Sequence, residues 1–146
     1  MTTLVTGASG FIGPYLVDHL RRSGTELVLA SRRPAPESAE PGVHQVQVNL
    51  DDPAWASDVM RRFRPDRIVH LAGLAFGRND PLLVAPTFAA NVKQSVELLE
   101  AALAADVNRV VMAGTFEEWD PRDEAHPNSP YAASKSAVTV YSQLFA

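Results

Sequence analysis

The chain has 146 residues, 46% of them apolar and 21% charged, with a net charge of −4 and no cysteine. That length suits one domain with a substantial core. An acidic balance with no basic run argues against a nucleic-acid partner, and the missing cysteines exclude disulfides and thiolate chemistry. His19, His44, His70 and His126 show no close ligand spacing, so no metal is expected. No apolar run is long enough to cross a bilayer and no leader pattern opens the chain, which points to a cytoplasmic protein without a membrane partner.

Thr3-Leu4-Val5 is a short β-rich run that enters Thr6-Gly7-Ala8-Ser9-Gly10-Phe11-Ile12-Gly13. An amphipathic helix leaves that turn, over Phe11 to Ser23, with Ile12, Leu16, Leu20 and Tyr15 expected on its apolar face and Gly24 past its end. A glycine-punctuated turn between strand and helix is the context of a dinucleotide site. Gly7 permits the tight turn and Gly10 lets the backbone approach a pyrophosphate. Gly13 lets the helix lie close on the strand, and the helix N-terminus offers N–H groups to phosphate. Cofactor contacts are therefore expected from Gly7, Gly10, Phe11, Ile12 and Gly13.

Glu26 to Ala30 reads as a second, fully buried strand, ending in Ser31-Arg32-Arg33. An acid is common at this position where NAD is bound, because it takes the ribose hydroxyls. A small hydroxyl followed by two guanidinium groups suits a 2′-phosphate instead, so NADP is expected over NAD, with Ser31, Arg32 and Arg33 as contacts. Residues 34 to 42 form a polar, proline-containing loop, and Val43 to Val48 is the third strand. Asn49-Leu50-Asp51-Asp52-Pro53 leads into a helix over Ala54 to Phe63, with Asp51 or Asp52 as its cap.

Arg67 to His70 continues into Leu71-Ala72-Gly73, a fourth strand whose small-residue exit lets a dinucleotide pass close to the backbone. A loop follows, and then a long helix from Leu83 or Thr87 to Ala105, with Val92, Val96, Leu99 and Leu103 on one face. Asn108 to Ala113 is the fifth strand, Thr115 to Pro130 a loop, and Tyr131 to Ala146 a further helix. Strands alternating with helical crossovers predict an α/β, doubly wound parallel sheet, a Rossmann fold, without repeat or linker.

Tyr131 and Lys135 are four residues apart and so share one helix face. An ammonium near a phenol stabilises the phenolate. Such a tyrosine can pass a proton to or from a carbonyl or alcohol oxygen while hydride moves on a nicotinamide. Thr115, at the exit of the fifth strand, can donate a hydrogen bond to the same oxygen.

With Tyr131-Ala132-Ala133-Ser134-Lys135 in hand, the chain resembles the extended short-chain dehydrogenases/reductases, in the NAD(P)-dependent epimerase/dehydratase group that acts on nucleotide sugars. The landmarks run the whole length: the Gly7/Gly10/Gly13 turn, Asn49-Leu50, His70-Leu71-Ala72-Gly73, Asn91, Gly114-Thr115 and Tyr131-x-x-x-Lys135. The resemblance implies cofactor contacts from Asn49, Leu50, Leu71, Ala72, Gly73, Asn91, Tyr131 and Lys135. Asn49 replaces the acid usual beside adenine, and its amide oxygen can still accept from the amino group.

The segment Ala113-Gly114-Thr115-Phe116-Glu117-Glu118-Trp119-Asp120 is similar to the loops of GDP-mannose dehydratases and GDP-4-keto-6-deoxyhexose reductases. It differs from them at Phe116 and at Trp119-Asp120. By that likeness Thr115 is the hydroxyl member of a triad with Tyr131 and Lys135, and Glu117 is a base that removes the proton α to a ketone. Members of the group are about twice as long, so the expectation is an NAD(P)-binding domain over residues 1–146 without the substrate domain. Such a chain is a truncated or proteolysed piece or a short relative. The implied activity is nucleotide-sugar epimerase, dehydratase or 4-ketoreductase chemistry. The alternatives are a dinucleotide-binding module without turnover and a protein-interaction domain that has lost the ligand. A homodimer through the two long helices, or through the open edge of the fifth strand, is also expected.

Overall fold

The computed structural model describes residues 1–33, 40–118 and 126–146. Its contacts divide the chain into two compact units, one of residues 1–72 and 101–112 and the other of residues 73–100 and 113–146.

Among the described residues the sheet lies in the first unit: β1 (Thr2–Thr6), β2 (Glu26–Ser31), β3 (Val43–Gln47), β4 (Arg67–His70) and β5 (Arg109–Met112). All four pairings are parallel, in the order β3-β2-β1-β4-β5. Val5 of β1 lies opposite Leu29 of β2 and Val69 of β4. Leu4, Val5, Leu27, Val28 and Ile68 are fully buried, as expected of central parallel strands covered on both faces. The winding reverses between β1 and β4. In open parallel sheets that reversal opens a crevice at the carboxyl ends of the two strands, where ligands bind.

Helix α1 (Gly13–Arg22) packs Leu16, Val17 and Leu20 against Val5, Leu27 and Leu29. It starts two residues later than the sequence pattern predicts, and its buried face is also rotated. Ile12, the N-cap residue, is 56% and Tyr15 74% exposed, while Leu16, Val17 and Leu20 make the packed face. Helix α2 (Trp55–Phe63) buries Trp55, Ala56, Val59 and Met60. Asp52 does not cap it. Its Oδ1 accepts from the Ala54 N–H at 2.9 Å and so holds the turn before the helix, whose own N-cap, Ala54, has no side-chain bond.

In the second unit a 3₁₀ turn (Pro81–Leu83) leads into α3 (Val84–Thr87), a π-helical stretch (Phe88–Lys93) and α4 (Gln94–Ala104), whose residues from Ala101 belong to the first unit. A regular helix was expected here. Pro86 lacks an N–H and so interrupts the ladder at its start, and the wide π turn follows directly. The buried stripe also differs, since Asn91, Val92, Ser95, Leu98, Leu99 and Ala102 face inward while Leu103 is 64% exposed. Helix α5 (Pro130–Ser142) is followed by a 3₁₀ turn (Gln143–Phe145). Among the described residues no helix is long and apolar enough to cross a membrane. Pro34 and Pro36 of the expected polar loop, and Trp119 and Asp120 of the loop after β5, lie outside the described residues.

Candidate functional site

The turn after β1 is shaped by its glycines. Gly7 has φ +73°, a left-handed conformation that an L side chain adopts only under strain. A Cβ at Gly7 would also lie 2.5 Å from the Ala72 nitrogen and 2.7 Å from the Leu71 carbonyl carbon. Gly7 therefore does more than turn the chain, because it lets the turn seat against the exit of β4. Two further bonds fix that exit, as the Leu71 N–H donates to the Thr6 carbonyl at 3.1 Å and the Ala72 N–H to Thr6 Oγ1 at 3.3 Å. Thr6 Oγ1 also meets His70 Nδ1 at 2.7 Å in a buried contact.

Gly10 closes the turn with its N–H on the Gly7 carbonyl at 2.9 Å, and Ser9, Gly10, Phe11 and Ile12 are exposed. Gly13 is buried, but a Cβ there would strike Ala8 of the turn, with the Ala8 oxygen at 2.2 Å. Its close approach is to the turn, where the sequence suggested the strand. The N-cap residue Ile12 makes no side-chain bond to the first turn of α1. The orphan N–H groups there have no side-chain cap and remain available to an anion.

At the end of β2, Ser31 Oγ donates to the Arg33 carbonyl at 2.7 Å, which bends the chain beneath the two arginines. Arg32 and Arg33 are exposed and have no ion-pair partner among the described residues. After β3, Asn49 is exposed and its Oδ1 accepts from the Asp51 N–H at 3.2 Å, while Leu50 is half-buried. One lone pair of that amide oxygen is thus committed to its own turn and the other is free.

The second unit carries the Tyr131-x-x-x-Lys135 motif. Ser129 and Pro130 set the start of α5: the Ser129 hydroxyl accepts from the Ala132 N–H at 3.1 Å, and proline fills a position whose N–H would be unpaired. That start puts Tyr131 and Lys135 on successive turns. Lys135 is only 8% exposed, its Nζ donates to the Ala113 carbonyl at 2.7 Å, and it stands 6.0 Å from the centroid of the Tyr131 ring. Burial pushes its ammonium below the ordinary lysine range, and the Glu118 carboxylate partly opposes that push.

Asn91, expected beside the cofactor, is 1% exposed and its amide is spent on protein partners. Its Oδ1 accepts from the Leu74 N–H at 2.7 Å, and its Nδ2 donates to the Leu74 carbonyl and to Ser134 Oγ, both at 2.9 Å. Ser134 in turn donates to the Tyr131 carbonyl at 2.7 Å. Asn91 thus clasps the segment after Gly73 to α5. A Cβ on Gly73 would lie 2.9 Å from Asn91 Oδ1, so that glycine serves the clasp.

Thr115 Oγ1 lies 3.4 Å from the Glu117 N–H, a long contact. The family likeness singles out Glu117, whereas the side chain tied into the loop is Glu118, on the Thr115 N–H at 2.8 Å. Of the residues that the motifs do not mark, Ser129 went unread, although a Ser-Pro pair is a helix-start signal. Glu118 and Ser134 carried no such signal.

The sequence pattern of the NAD dependent epimerase/dehydratase family matches residues 3–146. Over 99% of its length the chain is 36% identical to UDP-glucose 4-epimerase of Mycolicibacterium smegmatis, covering 51% of that protein. Over 92% it is 34% identical to dTDP-6-deoxy-L-talose 4-dehydrogenase (NAD(P)(+)) of Kitasatospora kifunensis, covering 44%. Among solved structures, Thermus thermophilus UDP-glucose 4-epimerase in complex with NAD superposes with a TM-score of 0.80 at 31% identity, over 99% of this chain and 50% of that one. MoeE5 in complex with UDP-glucose and NAD gives a TM-score of 0.80 at 30% identity, over 99% and 49%. The chain spans about half the length of the curated relatives it matches.

Proposed function

The chain belongs to the NAD dependent epimerase/dehydratase family, and from that membership we propose that it serves hydride-transfer chemistry on a nucleotide sugar, with Tyr131 as acid/base, as in an epimerase, a dehydratase or a 4-ketoreductase. The observation that carries this reading is Lys135, a lysine buried to 8% exposure one turn behind Tyr131. Lysine is almost never buried so far unless its charge is paired or used.

The residues present fit a dinucleotide. The turn of Gly7, Gly10 and Gly13, with the uncapped start of α1, would hold the pyrophosphate on backbone N–H groups. Asn49 and Leu50 would flank the adenine, and Leu71, Ala72 and Gly73 would give the dinucleotide a low-walled path. The cofactor supplies a hydride acceptor and, once reduced, a hydride donor. Arg32 and Arg33, with Ser31, favour NADP by offering charge-assisted bonds to a 2′-phosphate, although the solved relatives named above hold NAD.

Tyr131 Oη exchanges a proton with the sugar hydroxyl or ketone oxygen. Lys135 holds the tyrosine's environment positive, and the Thr115 hydroxyl orients the same oxygen. Glu117 is the base for the α-proton where the reaction is a dehydration. A Tyr131→Phe protein assayed with cofactor and UDP-glucose or dTDP-glucose tests this. The expected loss of turnover is on the order of 10²- to 10⁴-fold with cofactor affinity unchanged. Wild-type turnover that survives the substitution rules out the acid/base role.

We further propose a homodimer, on the exposed apolar residues of the second unit. Val84, Phe88, Val140, Tyr141 and Leu144 of the second unit are exposed, and Val84, Phe88, Val92, Ala133 and Ala137 line an open apolar groove of about 350 Å³. Val92, Leu99 and Val138, on the same helical segments, are buried and leave the contact to these neighbours. Among the described residues of the first unit, β5 is the outermost strand beside β4, with Val111 exposed. A stable monomer mass by light scattering at micromolar concentration contradicts the dimer.

A further inference from the structure

Two neighbouring glutamates follow Thr115, and they are not equivalent. Among the described residues Glu117 contributes its backbone N–H to the loop. Glu118 contributes both carboxylate oxygens. Its Oε1 accepts from the Thr115 N–H at 2.8 Å, and its Oε2 accepts from Thr139 Oγ1 at 2.6 Å. Thr139 is one helical turn beyond Lys135 on α5, so this one carboxylate joins the loop leaving β5 to the helix that carries Tyr131 and Lys135.

Gly114 makes the arrangement possible, since a Cβ there would lie 2.5 Å from Glu118 Oε1. The carboxylate therefore rests against the loop backbone in space that only glycine leaves open. On the other side of Gly114, the Ala113 carbonyl takes the hydrogen bond from Lys135 Nζ at 2.7 Å. The three-residue segment Ala113–Thr115 is thus tied twice to α5, by Lys135 directly and by Glu118 through Thr139. A carboxylate accepting two hydrogen bonds in this position is held against the loop backbone, and its charge favours a neighbouring buried cation.

Among the described residues, the groups that act on the Lys135 ammonium are Tyr131 on its own helix, with its ring centroid 6.0 Å away, the Ala113 carbonyl after the strand, and the Glu118 charge from the loop. Burial works against the ammonium and Glu118 works for it.

We propose that Glu118 is a positioning residue for the Tyr131/Lys135 pair: its carboxylate clamps the Ala113–Thr115 backbone to α5 and supplies the counter-charge to the Lys135 ammonium. The proposal rests on the acid/base reading of Tyr131 and Lys135 given above. It separates two roles that the loop sequence confounds. Glu117 is left for any contact with substrate, and Glu118 is assigned to the geometry and charge behind Thr115 and Lys135.

Three substitutions in the full chain divide the roles. Glu118→Gln keeps an acceptor for the Thr115 N–H and loses the charge, Glu118→Ala loses both, and Thr139→Val removes one arm of the clamp while keeping the charge. NMR on each protein gives two readouts. One is the titration midpoint of Lys135 followed at its Cε, and the other is the hydrogen-exchange protection of the Thr115 amide. The midpoint is expected to fall in Glu118→Gln and Glu118→Ala and to stay at the wild-type value in Thr139→Val. Protection of the Thr115 amide is expected to persist in Glu118→Gln and to be lost in Glu118→Ala.

An unmoved Lys135 midpoint in Glu118→Gln overturns the proposal, and so does full Thr115 protection in Glu118→Ala. If Glu118→Ala does not fold, the other two variants still decide, because a merely structural glutamate would leave the lysine midpoint in Glu118→Gln untouched. The readout needs no cofactor. A failure of the oxidoreductase reading would show separately, as wild-type protein that binds neither NAD nor NADP.

Discussion

Replacing Gly7 by alanine would place a methyl group where the structure has backbone on two counts. The residue sits at φ +73°, where an L side chain costs about 1–2 kcal/mol. The added Cβ would lie 2.5, 2.7 and 2.9 Å from Ala72 N, Leu71 C and Ala72 Cα. Those atoms cannot swing aside, because Leu71 and Ala72 donate to the Thr6 carbonyl and hydroxyl at 3.1 and 3.3 Å. Forcing extra volume into such a contact costs about 1–3 kcal/mol. The sum, roughly 2–5 kcal/mol, is a large share of the about 5–15 kcal/mol that holds a domain together. In urea the unfolding midpoint should fall by roughly 1 M or more, given slopes of about 1–3 kcal/mol per molar. Gly77→Ala is the control, since nothing lies within 4 Å of a Cβ built there, and it should leave the midpoint unchanged. A Gly7→Ala protein within about 0.5 kcal/mol of wild type would show that the contact with Leu71 and Ala72 does not constrain the turn, because surface changes without such contacts fall in that range.

Other outcomes follow from the charged groups. Alanine at both Arg32 and Arg33 should weaken NADP far more than NAD, by about 1–3 kcal/mol for each charge-assisted hydrogen bond to the 2′-phosphate that is removed. Equal weakening of both cofactors in parallel calorimetric titrations would remove the 2′-phosphate assignment. Lys135 is held below its ordinary value of 10.5, so the unfolded chain binds more protons between the folded value and 10.5. Stability should therefore rise with pH across that window. Measured against Lys135→Met in urea series at several pH values, wild type should gain stability as the pH approaches 10.5, and a relative loss over that range would contradict the burial of the charge.

The strands and the glycine turn were legible because their signals are local. Leu27 to Ala30 is a continuous apolar run, and Gly7 sits where a strand must turn into a helix. The start of α5 was placed within one residue, at Tyr131 where the structure has Pro130, although the Ser129-Pro130 pair that caps and initiates it was read as loop. Helix phase was harder. The apolar residues Val96 and Leu103 suggested one stripe, but the buried face of α4 is completed by Ser95 and Ala102, small residues that hydropathy does not rank. The π turn at Phe88–Lys93 has no composition signal. It is found next to Pro86 and contains Asn91, whose amide bonds across to Leu74 and Ser134, and such partners are set by tertiary contact. Which of Glu117 and Glu118 turns into the loop likewise depended on the space left by Gly114, which spacing alone does not reveal.

The proposed function rests on the glycine turn and the uncapped start of α1 taking a dinucleotide. Calorimetric titration of NAD and of NADP into the wild-type chain and into Gly10→Trp tests it most directly. Gly10 is exposed, with nothing nearer a built Cβ than the Gly7 oxygen at 3.2 Å, so an indole there would stand in the pyrophosphate path without disturbing the core. Saturable binding to wild type is expected, tighter for NADP, and its disappearance for both cofactors in the variant. Heat that shows no binding of either cofactor to wild type at millimolar concentration, or equal binding to wild type and variant, would contradict it.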